Sequence, residues 1–187
     1  MRPAVHSRKR SGARARQDDG AVLVEFALTL PLLVMLLLGM VTGGFAYNQK
    51  LAITNGVREG SRFGATLPVA SSVCGAGAGS LDCWLQQVAD VTQSASEGEL
   101  SASATALSIC VAYVYPAGTA ANDTTKSLRR TAGGDSISSG SSCFADGRPN
   151  GERRVQVTGS RQGKIEFLVS SATPTLSSQS VTKFEAA

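Results

Sequence analysis

The chain has 187 residues with 18 basic and 14 acidic side chains, enough for one modest domain and a membrane segment but not for two full domains. Six basic and two acidic residues lie within residues 1–20, so the rest of the chain has 12 of each and is close to neutral. The sequence pI of about 9.1 therefore reflects one terminal segment, which argues against a nucleic-acid-binding domain with a basic folded surface.

The polar, basic segment 1–19 lacks hydrophobic periodicity, which predicts a disordered tail. An uncharged apolar run follows, from Phe26 to Tyr47. At about 1.5 Å per residue, its roughly 22 residues form about 33 Å of helix, which is enough to cross a bilayer. Basic residues are concentrated before the run, and only Lys50 follows soon after it. The positive-inside rule therefore predicts a cytoplasmic N-terminus, with Asn48 and everything beyond it outside.

An acidic residue, Glu25, stands at the threshold of the apolar run. Because a carboxylate in or beside hydrocarbon is costly, Glu25 is expected to need a positively charged partner. The alternative is that it lies at the membrane interface and is stabilised by the N-terminus of its own helix. Further along, Pro31 removes one backbone donor where water cannot replace it, which predicts a kink or a local opening of the helix.

The membrane helix is predicted to extend well beyond the apolar run, because no helix breaker precedes Pro68. Glycines recur every fourth residue and so share a helical face in two sets: Gly39 and Gly43 in the membrane run, and Gly56, Gly60 and Gly64 beyond it. Glycine costs a helix up to about 1 kcal/mol relative to alanine, so the repetition indicates close packing. For the first set we favour contact between helices of neighbouring subunits. For the second set, such contact and packing against the protein's own sheet explain the pattern equally well.

Residues 67–187 are predicted to form an α+β domain. Ser80 can cap a second helix that extends to about Ala95, and its core face consists of apolar residues at helical spacing: Leu81, Trp84, Leu85, Val88 and Val91. Alternating residues then predict a small antiparallel sheet of three or four strands, at residues 107–115, 154–158, 164–169 and, more weakly, 178–184.

Two connections in this domain have distinctive sequences. The stretch GSRQG at 159–163 is expected to form a hairpin turn between the second and third predicted strands. The polar insertion at 117–151 is expected to be a long exposed loop, partly pinned by Cys143.

All four cysteines lie on the predicted outer side: Cys74, Cys83, Cys110 and Cys143. An even number in an oxidising compartment predicts two disulfides. Three connectivities are open and the sequence does not choose among them; we predict Cys74–Cys83 and Cys110–Cys143, the pairing that closes local loops.

The sequence offers little for catalysis or metal binding. The only histidine, His6, lies across the membrane from the predicted domain, which excludes a Ser-His-Asp or Cys-His arrangement there. No two cysteines have the C-x2-C spacing typical of zinc sites. The carboxylates of Glu97 and Glu99 are expected in a solvated loop, which does not suit acid–base catalysis. We therefore predict a protein that is not an enzyme and has no cofactor or metal.

Residues 19–66 resemble the TadE/TadG-like minor pilins of bacterial tight-adherence (Flp-type) pilus systems. The resemblance rests on the sequence Val-Glu-Phe-Ala-Leu at 24–28, on Pro31, and on Thr54-Asn55 followed by Arg58-Glu59-Gly60 and Arg62. It covers about a quarter of the chain. Beyond Thr66, only the helix-then-strand order and the closing LSSQSVTKFE look similar.

The resemblance implies a pilin-like protein whose basic leader, residues 1–20, is removed by a prepilin peptidase that cuts between Gly20 and Ala21. Glu25 would then be the fifth residue of the mature chain, matching the acidic position of type IV pilin-like subunits. Pairing of this carboxylate with the α-amine of a neighbouring subunit would set the axial register during assembly.

The resemblance also implies which residues meet other molecules. Subunit contacts are expected at Glu25, Phe26, Pro31, Gly39 and Gly43. Contacts of the helix with the domain, or with a neighbouring subunit, are expected at Arg58, Glu59, Gly60 and Arg62, although a solvated charged turn explains the charged ones equally well. The implied partners are the major pilin, other minor pilins, the prepilin peptidase, the assembly platform with its secretion ATPase, and membrane lipid, but not nucleic acid.

The implied function is that of a minor pilin or pseudopilin in a pilus for surface adhesion and biofilm formation. The location is the cytoplasmic membrane or, after assembly, the cell surface or pilus. Two alternatives remain open: a single-pass anchor whose outer domain binds a ligand but never assembles, and a secreted protein with an ordinary signal peptide cut after Ala46.

Overall fold

The computed structural model describes residues 15–69, 80–115, 125–148, 152–166 and 171–184. The described elements are two helices, α1 (Ala15–Thr66) and α2 (Leu81–Ser94), and seven strands: β1 (Ser108–Val114), β2 (Lys126–Thr131), β3 (Gly134–Ser139), β4 (Arg154–Gln162), β5 (Ile165–Glu166), β6 (Ser171–Ala172) and β7 (Thr175–Lys183). The predicted α+β class, with a long N-terminal helix, a second short helix and an antiparallel sheet, is confirmed.

Helix α1 is a single 52-residue helix that begins at Ala15. The prediction of a disordered tail is therefore wrong for residues 15–19. The residue types at 15–17, Ala, Arg and Gln, have high helix propensities, which favours a helix start before the apolar run. The predicted extension past the apolar run is present, because α1 ends at Thr66, just before Pro68.

Helix α2 lies beside the outer part of α1 and follows the prediction closely. Ser80 is its N-cap, and the Ser80 hydroxyl accepts a hydrogen bond from the Cys83 amide at 3.2 Å. Trp84, Leu85 and Val88 are fully buried. The Trp84 Nε1 donates to the carbonyl of Leu67 at 3.1 Å, so the indole ties the end of α1 to the start of α2.

The main sheet has five antiparallel strands in the order β3-β2-β1-β4-β7, and β5 and β6 form a separate two-stranded sheet. One face of the main sheet packs against α1 and α2. Its buried core draws on both helices and three strands: Ile53, Val57, Trp84, Leu85, Val88, Leu100, Ile109, Val111, Leu128, Val155 and Val157. A single apolar layer thus fixes the outer half of α1 to the sheet.

The glycines at 56, 60 and 64 lie on the face of α1 that meets the protein's own domain. A Cβ at Gly56 would lie 2.6 Å from the carbonyl oxygen of Thr92, and one at Gly60 would lie 1.9 Å from the Thr92 Oγ1. A Cβ at Gly64 would lie 3.1 Å from Trp84, Val88 and Val155 side chains. Of the two explanations left open by the sequence, packing within the protein is the one observed. It is mainly against α2, because only the Val155 contact of Gly64 comes from the sheet.

The predicted hairpin turn at 159–163 is wrong, because β4 continues through Gly159 to Gln162 and pairs with β7 over its whole length. Gly159 is needed here for close approach, since a Cβ would lie 2.8 Å from Leu100 and 3.0 Å from Val57. The predicted third strand is reduced to β5; residues 167–170 lie outside the described ranges. The predicted fourth strand is present as β7.

The long loop predicted at 117–151 is also wrong, because it contains the β2–β3 hairpin. Its sequence is polar and buries one large apolar side chain, Leu128. Since the hairpin buries so little apolar surface, ion pairs help to attach it to the domain. Arg130 pairs with Asp135 of β3 at 2.8 Å and with Asp90 of α2 at 2.6 Å. The hairpin is thus held by pairing with a neighbouring strand and by an ion pair with a residue that is distant in sequence. A local sequence pattern does not reveal such contacts.

The Cys110–Cys143 disulfide is present as predicted and fixes the segment 141–148 to β1. Cys83 is also disulfide-bonded, whereas Cys74, its predicted partner, lies outside the described residues. The same segment is held by Gln156, which is buried: its side-chain oxygen accepts from the Cys143 amide and its nitrogen donates to the Phe144 carbonyl. The disulfide therefore acts together with a polar contact on β4.

Replacing both Cys110 and Cys143 by alanine should lower the free energy of unfolding by about 3–4 kcal/mol in the chain-entropy model. The reason is that the disulfide joins two residues 33 positions apart and so lowers the conformational entropy of the unfolded chain. Denaturant unfolding of the purified protein in detergent, followed by the fluorescence of the single tryptophan, measures the change. A loss under about 1 kcal/mol would mean that the contacts of Gln156 suffice to hold the segment.

A buried ion pair lies at the end of the same segment. Arg154 donates to both carboxylate oxygens of Asp146, at 2.6 and 3.0 Å, and both side chains are less than a tenth exposed. Burial raises the pKa of Asp146, but hydrogen bonds from Gln156, from the Arg148 amide and from Arg154 together hold that pKa below its ordinary value of 3.8. The ionised carboxylate is thus the form that the fold prefers.

Because the pKa of Asp146 is lower in the folded than in the unfolded chain, its contribution to stability is complete above the unfolded pKa and is lost as the pH falls below it. The hydrogen-exchange protection factors of the amides at 141–148, taken relative to the intrinsic rate at each pH, should therefore fall in acid more than those of β4. Asp146→Asn should remove this acid effect and cost about 3–5 kcal/mol at neutral pH, because Arg154 is left buried without a counter-charge. Glu152→Gln, which breaks the more exposed pair with Lys183, is the matched control and should cost about 0–1 kcal/mol.

Candidate assembly surface on the long helix

The first half of α1 has no packing partner among the described residues. Its large apolar side chains are exposed from Val22 to Tyr47, for example Leu28 and Met40 at 72% each. The most apolar stretch of the helix from Gly20 to Thr66 has a mean hydropathy of 2.5. By its length and composition, this helix could cross a membrane. Burial against the domain begins at Ala52. The apolar half therefore needs a covering that the domain does not provide, namely lipid or other helices.

The predicted cleavage site and the predicted assembly residue lie one helical turn apart. Gly20 and Ala21 are within α1, and Glu25 follows Ala21 at the i+4 position, so the two residues share a helical face. The side chains of Glu25 and Phe26 are exposed. The structure thus places a carboxylate on the open surface of an otherwise apolar helix.

Pro31 lies inside α1 without ending it. Because proline lacks an N–H, the carbonyl of Ala27 has no intrahelical donor at the i+4 position. The hydroxyl groups in this half are bonded within the helix: Thr29 donates to the Phe26 carbonyl at 3.3 Å and Thr42 to the Leu38 carbonyl at 2.8 Å. The freed carbonyl of Ala27, two residues beyond Glu25, adds a second polar group to the apolar surface.

Gly39 and Gly43 form a shallow face on the same half of the helix. Among the residues that the structure describes, no other element lies within 4 Å of a Cβ built at either residue, and the same holds for Gly44. At Gly56 and Gly60, by contrast, atoms of α2 and of the residues just after it already fill the space beside the helix. Space for the close approach of a second helix therefore exists in the membrane run but not beyond it.

The four residues predicted to join the helix to the domain divide into two groups. Gly60 is buried against Thr92, whereas Arg58, Glu59 and Arg62 are exposed. In the part of the chain that the structure describes, these three side chains make no ion pair with the domain, and their contact with it stays a prediction. Their contact with a neighbouring subunit stays a prediction.

The sequence analysis missed Ser61, which links α1 to the last strand. Its buried hydroxyl lies 2.8 Å from the Ser180 Oγ and accepts a hydrogen bond from the Thr182 hydroxyl at 3.0 Å. The alternation of Ser178, Ser180 and Thr182 toward one face of β7 is a sequence signal for this contact, but the facing helix residue cannot be read from it.

The arrangement suits association. Within the described ranges, no three His, Cys, Asp or Glu side chains are grouped so that they could hold a metal ion. The polar groups of the apolar half of α1 are a carboxylate, a freed carbonyl and hydroxyls bonded to their own helix. These are groups that bind a neighbouring chain or lipid.

The fold and this surface define a class of proteins in which an N-terminal apolar helix, able to serve as a membrane anchor, continues into an α+β domain. Residues 20–62 match the family model of the TadE-like proteins, which confirms the resemblance over this segment. No curated protein and no solved structure matches the chain. The match begins at Gly20 and ends within α1.

Proposed function

We propose that this protein is a minor pilin or pseudopilin, a non-enzymatic subunit that assembles with other pilins through the first half of α1. A prepilin peptidase cuts between Gly20 and Ala21, and the outer domain stays on the far side of the membrane from the basic leader. Its partners are the major pilin, other minor pilins and the assembly platform with its secretion ATPase. The pilus serves surface adhesion.

The observation that supports this proposal most is the position of Glu25. It is exposed on a helix half that is otherwise uncharged from Ala21 to Tyr47, and it lies five residues beyond the start of the family match. An acid in such a place is costly unless a cation meets it. The domain supplies none, because the α1 residues buried against it begin at Ala52, about 40 Å along the helix from Glu25.

Cleavage supplies a cation of the right kind. Before cleavage the nitrogen of Ala21 is an amide; afterwards it is an α-amine at the end of a helix, positively charged at neutral pH. Within one chain this amine and the Glu25 carboxylate lie one turn apart, so each molecule presents one positive and one negative group. Two neighbours displaced along the helix axis can then pair the carboxylate of one with the amine of the other, which selects one axial register.

N-terminal sequencing of the mature protein tests the proposal. A chain that begins at Ala21 supports it, one that begins at Tyr47 indicates an ordinary signal peptide, and one that begins at Met1 indicates an uncut anchor. Crosslinking through Leu23→Cys, at a position with 69% exposure, then separates a subunit from a non-assembling anchor. Crosslinked neighbours are expected in assembling cells, and only monomer would favour the anchor.

A further inference from the structure

We infer that the end of the domain nearest Tyr47 rests in the lipid headgroup layer, so that the domain stands on the membrane without a stalk. Exposed aromatic side chains continue along α1 to Phe45 and Tyr47, and Ala52 is already buried against the domain. The five residues from Tyr47 to Ala52 span about 7.5 Å of helix. The headgroup region on each side of a bilayer is about 5–7 Å thick, so no clear space separates the domain from the lipid.

Strand β4 runs almost along the helix axis, which allows heights above the membrane to be compared. A Cβ at Gly159 would contact Ile53 and Val57, and Val155 lies against Gly64. The four strand residues between these contacts span about 13 Å, and the nine helix residues from the midpoint of Ile53 and Val57 to Gly64 span about 13.5 Å. The two pairs of contacts occur in opposite chain order, so β4 and α1 are antiparallel. Because the contacts are about equally far apart on the strand and on the helix, the two elements have little tilt relative to each other.

The charged end of the domain can be placed on this scale. Arg161 lies two residues beyond Gly159 and therefore about 6.6 Å nearer the membrane, at the level of Lys50. Arg161 forms an ion pair with Glu99, and the Gln162 amide donates to the Thr105 carbonyl at 2.9 Å, so the turn that follows α2 reaches the same level. The surface at this end is thus polar.

The occupant of this surface is the phosphate-bearing headgroup layer of the membrane that α1 itself crosses. Lys50 brings a cationic group to this level, and long basic side chains near the end of a membrane helix extend toward lipid phosphates. The inference requires α1 to cross a membrane. It does not depend on cleavage, on the direction of insertion or on assembly into a pilus.

Fluorescence quenching in reconstituted nanodiscs tests this placement. A fluorophore is attached to Gln162→Cys, at the membrane-facing end, or to Thr66→Cys, which lies on exposed α1 about 24 Å above Lys50. The discs contain lipids with a nitroxide on the headgroup. Quenching should be several-fold stronger at position 162 than at position 66. Weak quenching at both positions would mean a raised domain, and strong quenching at both would mean a domain lying on its side; either result overturns the inference.

A spacer supplies the matched control. Seven helix-forming residues inserted after Asn48 add about 10.5 Å and turn the domain by only about 20° relative to the membrane segment. Quenching at position 162 should then fall toward the value at position 66. Unchanged quenching would show that the label reaches the lipid by a route other than the stacking of domain on membrane, and it would overturn the inference.

Discussion

Glu25→Gln is expected to abolish incorporation of the protein into filaments while its amount in the membrane fraction is unchanged. Glutamine keeps the size and one acceptor of glutamate but has no charge with which to hold an α-amine. An unpaired acid costs about 2.5–3.5 kcal/mol at the centre of a membrane helix and less toward its end, so removing the need for a partner eliminates a selection of at most roughly a hundredfold between registers. Immunoblots of sheared filaments and of membranes measure the two pools.

Glu97→Gln is the matched control for this experiment, because Glu97 is an exposed glutamate of the domain outside the apolar run. It should leave filaments at the wild-type level. N-terminal sequencing of the Glu25 variant must still give Ala21, so that a failure of cleavage is not mistaken for a failure of assembly. Wild-type filaments from a correctly cleaved Glu25→Gln protein would refute the pairing.

Gly60→Ala is expected to destabilise the domain by about 1–3 kcal/mol, even though alanine favours a helix by about 1 kcal/mol. The new methyl group would lie 1.9 Å from the Thr92 Oγ1 and 3.0 Å from its Cβ. Thr92 has little freedom to move, since it is fully buried and donates to the Val88 carbonyl at 2.8 Å. Denaturant unfolding followed by the fluorescence of buried Trp84 reports the separation of α2 from α1.

Two further variants make this prediction specific. Gly44→Ala places the same methyl group on the same helix, where nothing lies within 4 Å, and it should leave the unfolding of the domain unchanged. Adding Thr92→Ala to Gly60→Ala removes the closest atom and should recover part of the loss, because the contact at the Cβ remains. If the double variant is no more stable than Gly60→Ala, the cost does not come from this contact.

The two helices and the membrane segment could be predicted from the sequence because their signals are local. A long uncharged run, a serine before an amphipathic stripe and a proline after Thr66 specify where helices begin and end. The resemblance of residues 20–62 to TadE-like proteins was recognisable for the same reason, since its motifs lie on one continuous helix. The Cys110–Cys143 disulfide was a choice among three pairings, and the structure contains it.

The errors in the sheet have a common cause. Gly159 was interpreted as a turn residue, but it is required because Leu100 and Val57, which are distant in sequence, approach the strand closely. The β2–β3 hairpin has a polar sequence, and Arg130 fastens it to Asp90 of α2. Neither partner is adjacent in the chain, so the local pattern indicated a turn and a loop.

The sequence by itself determined the apolar helix, the acid at its threshold and the order of elements, because each depends on residues a few positions apart. Only the tertiary structure decided which glycines are used by the domain and which are open, since the same four-residue spacing occurs in both sets. The difference arises because α2 folds back onto Gly56 and Gly60, whereas nothing in the described chain covers Gly39 and Gly43. Contacts between distant segments are a property of the packed chain and not of its local pattern.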